Sequence, residues 1–279
     1  MKTDKVWFVT GASKGMGLSL VKKLIGEGYR VAATSRESQR LIDAVGHFEE
    51  PQFLPLEVDL TSAESIREAF ERTVAQFGKV DVLVNNAGYG IGGAVEEISQ
   101  QEIKDSFDIN VMAVIKTMQS AMPYFRQQRS GNIINISSIA GFAPGIGWAM
   151  YAATKYAVTG LSEAMAEDVK EFGVKVTVVA PGAFRTEFLE DSSLVFAEKK
   201  IEGYSAIRGS HKKYAAMNGT QIGDPEMLAQ VLIDLVANPN PPVRLYLGSD
   251  AYRRATEKIN LLAEELESNK HISYSTDFN

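Results

Sequence analysis

Short apolar runs rich in β-branched residues recur along the chain at 5–9, 29–34, 52–58, 80–85, 131–136, 175–179 and 243–247. Between them lie longer stretches whose apolar positions repeat with helical spacing, at 15–27, 38–46, 62–77, 100–128, 152–172, 225–237 and 250–268. Continuous apolar runs that alternate with amphipathic helices predict strands of a parallel sheet buried on both faces. Right-handed crossovers then distribute the helices over the two sides. The expected fold is α/β, with seven mostly parallel strands.

Local punctuation agrees with this order. Thr61 and Glu64 form a capping-box pattern before Ile66, Ala69 and Phe70, and Gly78 closes that segment. Asp224 precedes Pro225 as an N-cap precedes a first-turn proline. No linker, repeat or low-complexity tract divides the chain, so residues 1–279 read as a single domain. One stretch breaks the alternation: 183–222 is long and Gly-punctuated, and carries Phe184, Phe188, Leu189, Val195, Phe196, Ile201, Tyr204 and Ile207. That content predicts a lid over a binding site.

The composition narrows the function. With 279 residues the chain has enough bulk for a core without staples, and its zero cysteines exclude disulfides, thiolate zinc sites and a cysteine nucleophile. His47, His211 and His271 are scattered, so no metal site is expected. A formal charge of −6 lacks the basic stripe that nucleic acid or an anionic membrane would demand. The first apolar stretch, 6–9, is too short for a signal peptide, and no run approaches a bilayer span. The expectation is a soluble cytoplasmic protein.

Directly after the first predicted strand stands Thr10-Gly11-Ala12-Ser13-Lys14-Gly15-Met16-Gly17. Glycine at 11, 15 and 17 permits a tight turn, a close approach to a diphosphate and close packing of helix on strand. The following helix offers free N–H groups at its positive end. This strand, turn and helix context points to a dinucleotide. An acidic residue about 20 positions beyond the glycines would accept from a free ribose 2′-hydroxyl. Here the second strand ends in Thr34-Ser35-Arg36. A guanidinium at Arg36, a cation at Lys14 and no carboxylate at Ser35 suit a 2′-phosphate, which favours NADP(H) over NAD(H).

Tyr151 and Lys155 lie four apart at a helix start and so project from one face. A phenol becomes a useful acid or base when a positive neighbour stabilises its phenolate. Asn135-Ile136-Ser137-Ser138 ends the fifth strand, at the sheet edge where α/β proteins bind ligands, and Ser138 is placed to bond a substrate carbonyl. Asn110 interrupts the apolar run 109–118, a costly place for an unpartnered amide. Asn85-Asn86-Ala87-Gly88 follows the fourth strand.

Together these motifs resemble the short-chain dehydrogenase/reductase family, in its branch of subunits near this length. The resemblance runs from Lys5 to about Leu247, with the motifs in the family's order. It implies a single Rossmann-type doubly wound sheet with helices on both faces. It also implies a catalytic set of Asn110, Ser138, Tyr151 and Lys155, in which Asn110 would position a water beside the lysine. Cofactor contacts are implied at Gly11, Ser13, Lys14, Gly15, Met16 and Gly17, at Ser35 and Arg36, and at Asp59 and Leu60, where the aspartate meets adenine. Others are implied at Asn86, Ala87, Gly88, Tyr151 and Lys155, and at Pro181, Gly182, Ala183 and Thr186, with the Ala183 backbone on the nicotinamide carboxamide. The activity implied is NADP(H)-linked reduction of a carbonyl or oxidation of a secondary alcohol. Two other readings on the same fold are an epimerase or dehydratase, which normally has a longer C-terminal part, and a nucleotide-sensing protein without catalysis. Trp148, Met150, Tyr89 and Ile91 add to the apolar lid and favour a ketone or aldehyde with apolar or aromatic substituents. Arg185 and Arg208 read as solvated lid charges rather than carboxylate anchors. Helices 100–128 and 152–172 resemble those that pair in the family's homodimers and homotetramers.

Overall fold

The computed structural model describes residues 4–49, 51–190 and 193–278. Strand and helix alternate from the start: β1 Val6–Val9, α1 Gly15–Gly26, β2 Arg30–Ser35, α2 Ser38–Val45, β3 Phe53–Glu57, α3 Ala63–Phe77 and β4 Val82–Asn85. A three-residue strand, β5 Gly90–Gly92, then precedes α4 Gln100–Phe107 and α5 Ala113–Gln128. The central part continues with β6 Gly131–Ile136, α6 Ala149–Asp168 and β7 Val174–Pro181. After these come β8 Leu194–Phe196, α7 Ser205–Ala216, α8 Pro225–Ala237, β9 Arg244–Leu247, α9 Ser249–Ser268 and α10 Lys270–Tyr274.

Seven strands form one sheet in the order β3-β2-β1-β4-β6-β7-β9, and every pairing in it is parallel. Alternate residues of β1 show why both faces are covered. Trp7 and Val9 pack with Leu20, Leu24, Leu41 and Leu232 of α1, α2 and α8. Val6 and Phe8 pack on the other side with Ile66, Phe70, Val114 and Val158 of α3, α5 and α6. A strand period of two thus serves two apolar layers at once. The strand order reverses between β1 and its neighbours β2 and β4, which opens a crevice at their carboxyl ends.

Three boundaries differ from the sequence expectation. The predicted helix 100–128 is divided by a π-turn at Asp108–Met112, a wider winding that adds a residue to the turn and rotates the side chains beyond it. The helix expected at 62–77 is capped by Ser62, whose side chain accepts the Ser65 N–H, because Thr61 is bonded to Asp59 instead. The helix expected at 152–172 begins at Ala149 and ends at Asp168, followed by a separate tight turn at Lys170–Phe172. Asp224 and Pro225 cap α8 as expected, with the Asp224 carboxylate accepting from Glu226 and Met227.

The segment 183–222 is folded rather than irregular, although residues 191 and 192 lie outside the described residues. Its β8 pairs in parallel with β5, forming a two-stranded sheet away from the main one. Arg208 is not a solvated charge: its guanidinium pairs with the buried Glu97 carboxylate. Arg185 is the more exposed of the two and donates to the Gln221 carbonyl at 3.1 and 3.2 Å. Among the described residues no helix is long and apolar enough to cross a membrane, and no group of three or more acidic or histidine side chains is placed to hold a metal ion.

Candidate active site

The turn after β1 is fixed by backbone groups of the strands beside it. Thr10 N–H donates to the Val84 carbonyl and Ala12 N–H to the Thr34 carbonyl, both at 3.0 Å. The Thr10 hydroxyl accepts the N–H groups of Asn86 and Ala87, while the Asn86 amide donates to the carbonyls of Thr10 and Gly11. Gly11 has φ +65°, and a Cβ there would lie 2.7 Å from the Ala87 Cα. A Cβ on Gly17 would lie 2.6 Å from the Gly11 carbonyl oxygen and would strike the Asn86 amide. At Gly11 and Gly17 the backbone therefore fills the space that side chains would take.

The opening of α1 also meets an anion. Gly15 N–H donates to the Glu187 carboxylate at 3.1 Å, across the cleft from the segment 183–222. A negatively charged group on this helix end is what the free amides and the helix dipole favour. The cradle and the anion at its amide both fit the diphosphate of a dinucleotide.

A cleft of about 510 Å³ runs from this turn to the start of α6. It gathers Gly11, Ser13, Lys14, Gly15 and Met16 with Ser35, Arg36, Asp59, Leu60, Asn86, Ala87 and Gly88. Tyr151, Lys155 and Thr186 line it as well. At its outer end Arg36 and Arg40 both act electrostatically on Lys14 and, with its desolvation, hold the ammonium below its ordinary value. Arg40, in the first turn of α2, escaped the sequence reading. Asp59 accepts from the Thr61 N–H and hydroxyl, which lowers its carboxyl.

At the inner end Tyr151 is half-buried beside Ser138, whose Oγ accepts the Ala140 N–H at 3.1 Å. Burial pushes the Tyr151 phenol up to about 12; Ser138 opposes the shift and Tyr214 adds to it. Lys155 Nζ lies 5.8 Å from the centre of the Tyr151 ring and donates to the Ile136 carbonyl at 2.9 Å. Burial brings this ammonium down to about 8. Two groups whose pKa values are moved by desolvation at a cleft wall mark a chemically active place.

Asn110 stands in the π-turn and is buried. Its amide donates to the Tyr89 carbonyl at 2.8 Å and to Thr154 Oγ1 at 3.1 Å, and its oxygen accepts the Tyr89 N–H at 3.0 Å. The costly amide is thus satisfied, and it clamps the backbone beside Gly88. A Cβ on Gly88 would lie 3.0 Å from Asn110 Oδ1 and 3.4 Å from Lys155 Nζ, so glycine lets these two groups flank one point.

The turn after β7 is tied to α9 and to the loop before α8. Pro181 is buried, and Ala183 N–H donates to the Asp250 carboxylate at 2.9 Å while its carbonyl accepts the Gly223 N–H. The Ala183 backbone groups are therefore engaged within the chain and do not line the cleft. The Asp250 carboxylate occupies the space a Cβ on Gly182 would need. Sequence reasoning missed Asp250, which is distant in the chain and lies in the first turn of α9. It also missed Glu187 and Ser193, which wall the cleft together with the lid residues Phe188 and Val195. Trp148 joins His211, Tyr214 and Phe196 in an aromatic cluster close to the Tyr151 end.

Comparison with known proteins adds to this geometry. The short chain dehydrogenase family profile matches residues 5–194. A solved short-chain dehydrogenase from Streptomyces avermitilis is 34% identical, with a TM-score of 0.89 and coverage of 98% of this chain and 99% of its own. A 3-ketodihydrosphingosine reductase from Bacteroides thetaiotaomicron is 35% identical over 88% of each chain. The closed form of a serine dehydrogenase, solved with NADP+, is 26% identical with a TM-score of 0.73, covering 87% of this chain and 94% of its own.

Proposed function

The chain belongs to the short-chain dehydrogenase family of oxidoreductases, and from that premise we propose that it is an NADP(H)-dependent carbonyl reductase, running as an alcohol dehydrogenase in reverse, whose substrate is a ketone or aldehyde with apolar or aromatic substituents. The observation that carries the reading is one cleft lined by Lys14 and Arg36 and by Tyr151 and Lys155, with Arg40 acting on Lys14 and Ser138 on the Tyr151 phenol. NADP+ is the molecule bound by the 26%-identical serine dehydrogenase, and a 3-keto compound gives the Bacteroides relative its name. Both support the proposal from outside the chain.

The nicotinamide, when bound, supplies or accepts the hydride. Lys14, Arg36 and Arg40 would hold a 2′-phosphate, the opening of α1 the diphosphate, and Asp59 with Leu60 the adenine side. Thr186 would meet the carboxamide or the diphosphate. Ser138 Oγ and the Tyr151 hydroxyl converge on one place, where a substrate carbonyl oxygen accepts from both. Tyr151 then gives its proton to that oxygen as alkoxide character develops, and Ser138 stabilises the charge. With its pKa near 12, the phenol retains this proton at neutral pH and needs positive charge nearby to release it. Lys155 provides that charge, being still mostly protonated at neutral pH. Asn110 positions rather than reacts: it fixes Tyr89 and Gly88 next to the lysine. The segment 183–222 serves as the lid, and Trp148, Phe188 and Tyr214 supply the apolar wall.

The test is NADPH oxidation, and separately NADH oxidation, with a panel of aryl ketones, aldehydes, β-ketoesters and steroid ketones. Turnover preferring NADPH is expected. Tyr151→Phe should lower turnover by about 10²–10⁴ while NADPH binding is kept. Arg36→Ala should raise the KM for NADPH about tenfold and leave that for NADH unchanged, in line with the loss of one charge-assisted contact. Equal use of both cofactors, insensitive to Arg36→Ala, would reject the NADP(H) assignment. Full activity in Tyr151→Phe would reject the mechanism.

A further inference from the structure

The last long helix, α9, begins as part of the body. Ala251 and Ala255 are buried against Ile139, with Phe142, Ala143 and Tyr246 around them, and the Arg254 guanidinium donates to the Ala143 carbonyl. Past Ala255 the same face continues as an apolar stripe, but the body beneath it ends. Ile259, Leu262 and Leu266 follow Ala255 at steps of four, three and four, which keeps them within one narrow arc of the helix. Their exposures are 52%, 40% and 72%. Three turns of helix in water with such a stripe call for a partner, since isolated helices of this length are marginal and exposed apolar patches mark interaction sites.

The charges beside the stripe identify the partner. Lys258 and Glu265 flank it on one side, seven residues apart, and Thr256 and Ala263 flank it on the other, uncharged and small. A second copy of α9 laid antiparallel, with Ile259 against the partner's Leu262, brings each Lys258 against the partner's Glu265. A parallel copy would instead lay the Lys258 and Glu265 edge along the partner's uncharged Thr256 and Ala263 edge, and pair neither charge. The two-fold arrangement therefore satisfies its own charges twice with one patch, as isologous dimers do. The tail's own charge disfavours a lipid surface: residues 256–278 carry two lysines against four glutamates and one aspartate.

We propose that α9 is a homodimer contact, formed by antiparallel packing of residues 255–266 on the same residues of a second copy, and separate from any pairing through α4, α5 and α6. Because the chain has no cysteine, single introduced thiols report the register cleanly. Lys258→Cys and Glu265→Cys, each in the full chain, are produced separately and also together, with one copy tagged, and treated with a short bismaleimide. Covalent dimer is expected in the co-produced sample and lost in either variant alone. Adding Ile259→Asp and Leu266→Asp to both copies should abolish the product, while circular dichroism and NADPH binding show that the fold persists. Cross-linking of Lys258→Cys to Ala263→Cys but not to Glu265→Cys would mean parallel pairing and would overturn the proposal. So would absence of product in the mixture, whether the chain is monomeric or dimerises elsewhere. Co-flotation of the mixed Lys258→Cys and Glu265→Cys chains with phosphatidylserine vesicles, with loss of the cross-link, would overturn it in favour of a membrane surface.

Discussion

Two regions face each other across the cleft and are held by different means. The turn Gly11–Gly17 is fixed by main-chain groups of β1, β2 and β4, helped by the Thr10 hydroxyl and the Asn86 amide, all within the central sheet. The segment 183–222 is tied by backbone through β8 on β5 and the Phe184–Gly223 bridge, and around α7 by side chains that reach far along the sequence. Glu97 accepts from Ala94 and Ile201 N–H groups and from Arg208, Tyr204 bonds Glu96, His211 bonds the Gly147 carbonyl and Ser210 donates to Ile146. A wall built from backbone has little freedom to adapt. A wall built from a handful of side-chain contacts can open as a unit, which is what a binding lid requires.

The sharpest break of this contrast is on the rigid side. In Gly17→Ala the new methyl meets the Gly11 carbonyl oxygen and the Asn86 amide, and neither has room to retreat. Overpacking of this kind costs about 1–3 kcal/mol. If half of that strain is relieved only in a distorted turn that binds poorly, NADPH affinity falls about tenfold, the equivalent of about 1.4 kcal/mol. Thermal unfolding and a fluorescence titration with NADPH measure the two effects. Affinity within about twofold of wild type would show that the turn yields, and the contrast with the opposite wall would fail.

On the adaptable side the corresponding change is Glu97→Gln, which keeps the shape and removes the charge facing Arg208. Turnover should stay within about twofold while KM for the ketone rises about fivefold, the pattern of weakened ground-state binding. Proteolysis should select the stretch around α7. The pH dependence has a definite sign. Arg208 and the two N–H groups hold the Glu97 carboxyl down at about 2, against an ordinary 4.5. A lowered carboxyl stabilises the folded form fully above its ordinary value and loses that contribution as pH falls from 4.5 towards 2. Protease sensitivity of the segment should therefore climb in that window in the wild-type chain and stay flat in Glu97→Gln. An identical climb in both would place the latch elsewhere.

The same contrast explains what was legible in the sequence. The strands, the Gly11–Gly17 turn, Arg36, and the Ser138, Tyr151 and Lys155 positions are local patterns, each set by spacing within a few residues, and the fold brings most of them to one cleft. The π-turn at Asn110 was not legible because its cause lies in partners at 89 and 154, not in the helix itself. The pairing of β5 with β8 joins runs of three residues about a hundred positions apart, too short to register as strands. Arg208 looked like a surface charge because its partner Glu97 is 111 positions away. Asp250 on Ala183 and Glu187 on Gly15 were hidden for the same reason, with separations of 67 and 172. Motifs set within a few residues follow from the sequence, whereas contacts between distant positions, backbone or side chain, follow from tertiary structure.

One contact joins the two walls, and it gives the smallest expected effect. The Glu187 carboxylate sits on the Gly15 N–H at the opening of α1 and lies in reach of Lys14. An anion on an exposed helix N-terminus is worth about 0.3–1 kcal/mol. A cofactor diphosphate seeking the same amide has to displace a group of its own sign, so the contact both closes the cleft and opposes binding. Glu187→Gln keeps an acceptor there but removes the charge. NADPH should bind about two- to fivefold tighter, the equivalent of about that same energy. The gain should shrink at high salt, where the Debye length falls to about 3 Å at 1 M. Calorimetric titration at low and high ionic strength separates this from a general change in the segment, which would be insensitive to salt. Weaker binding in Glu187→Gln would mean that the carboxylate helps seat the cofactor, and that the two walls meet by cooperation rather than competition.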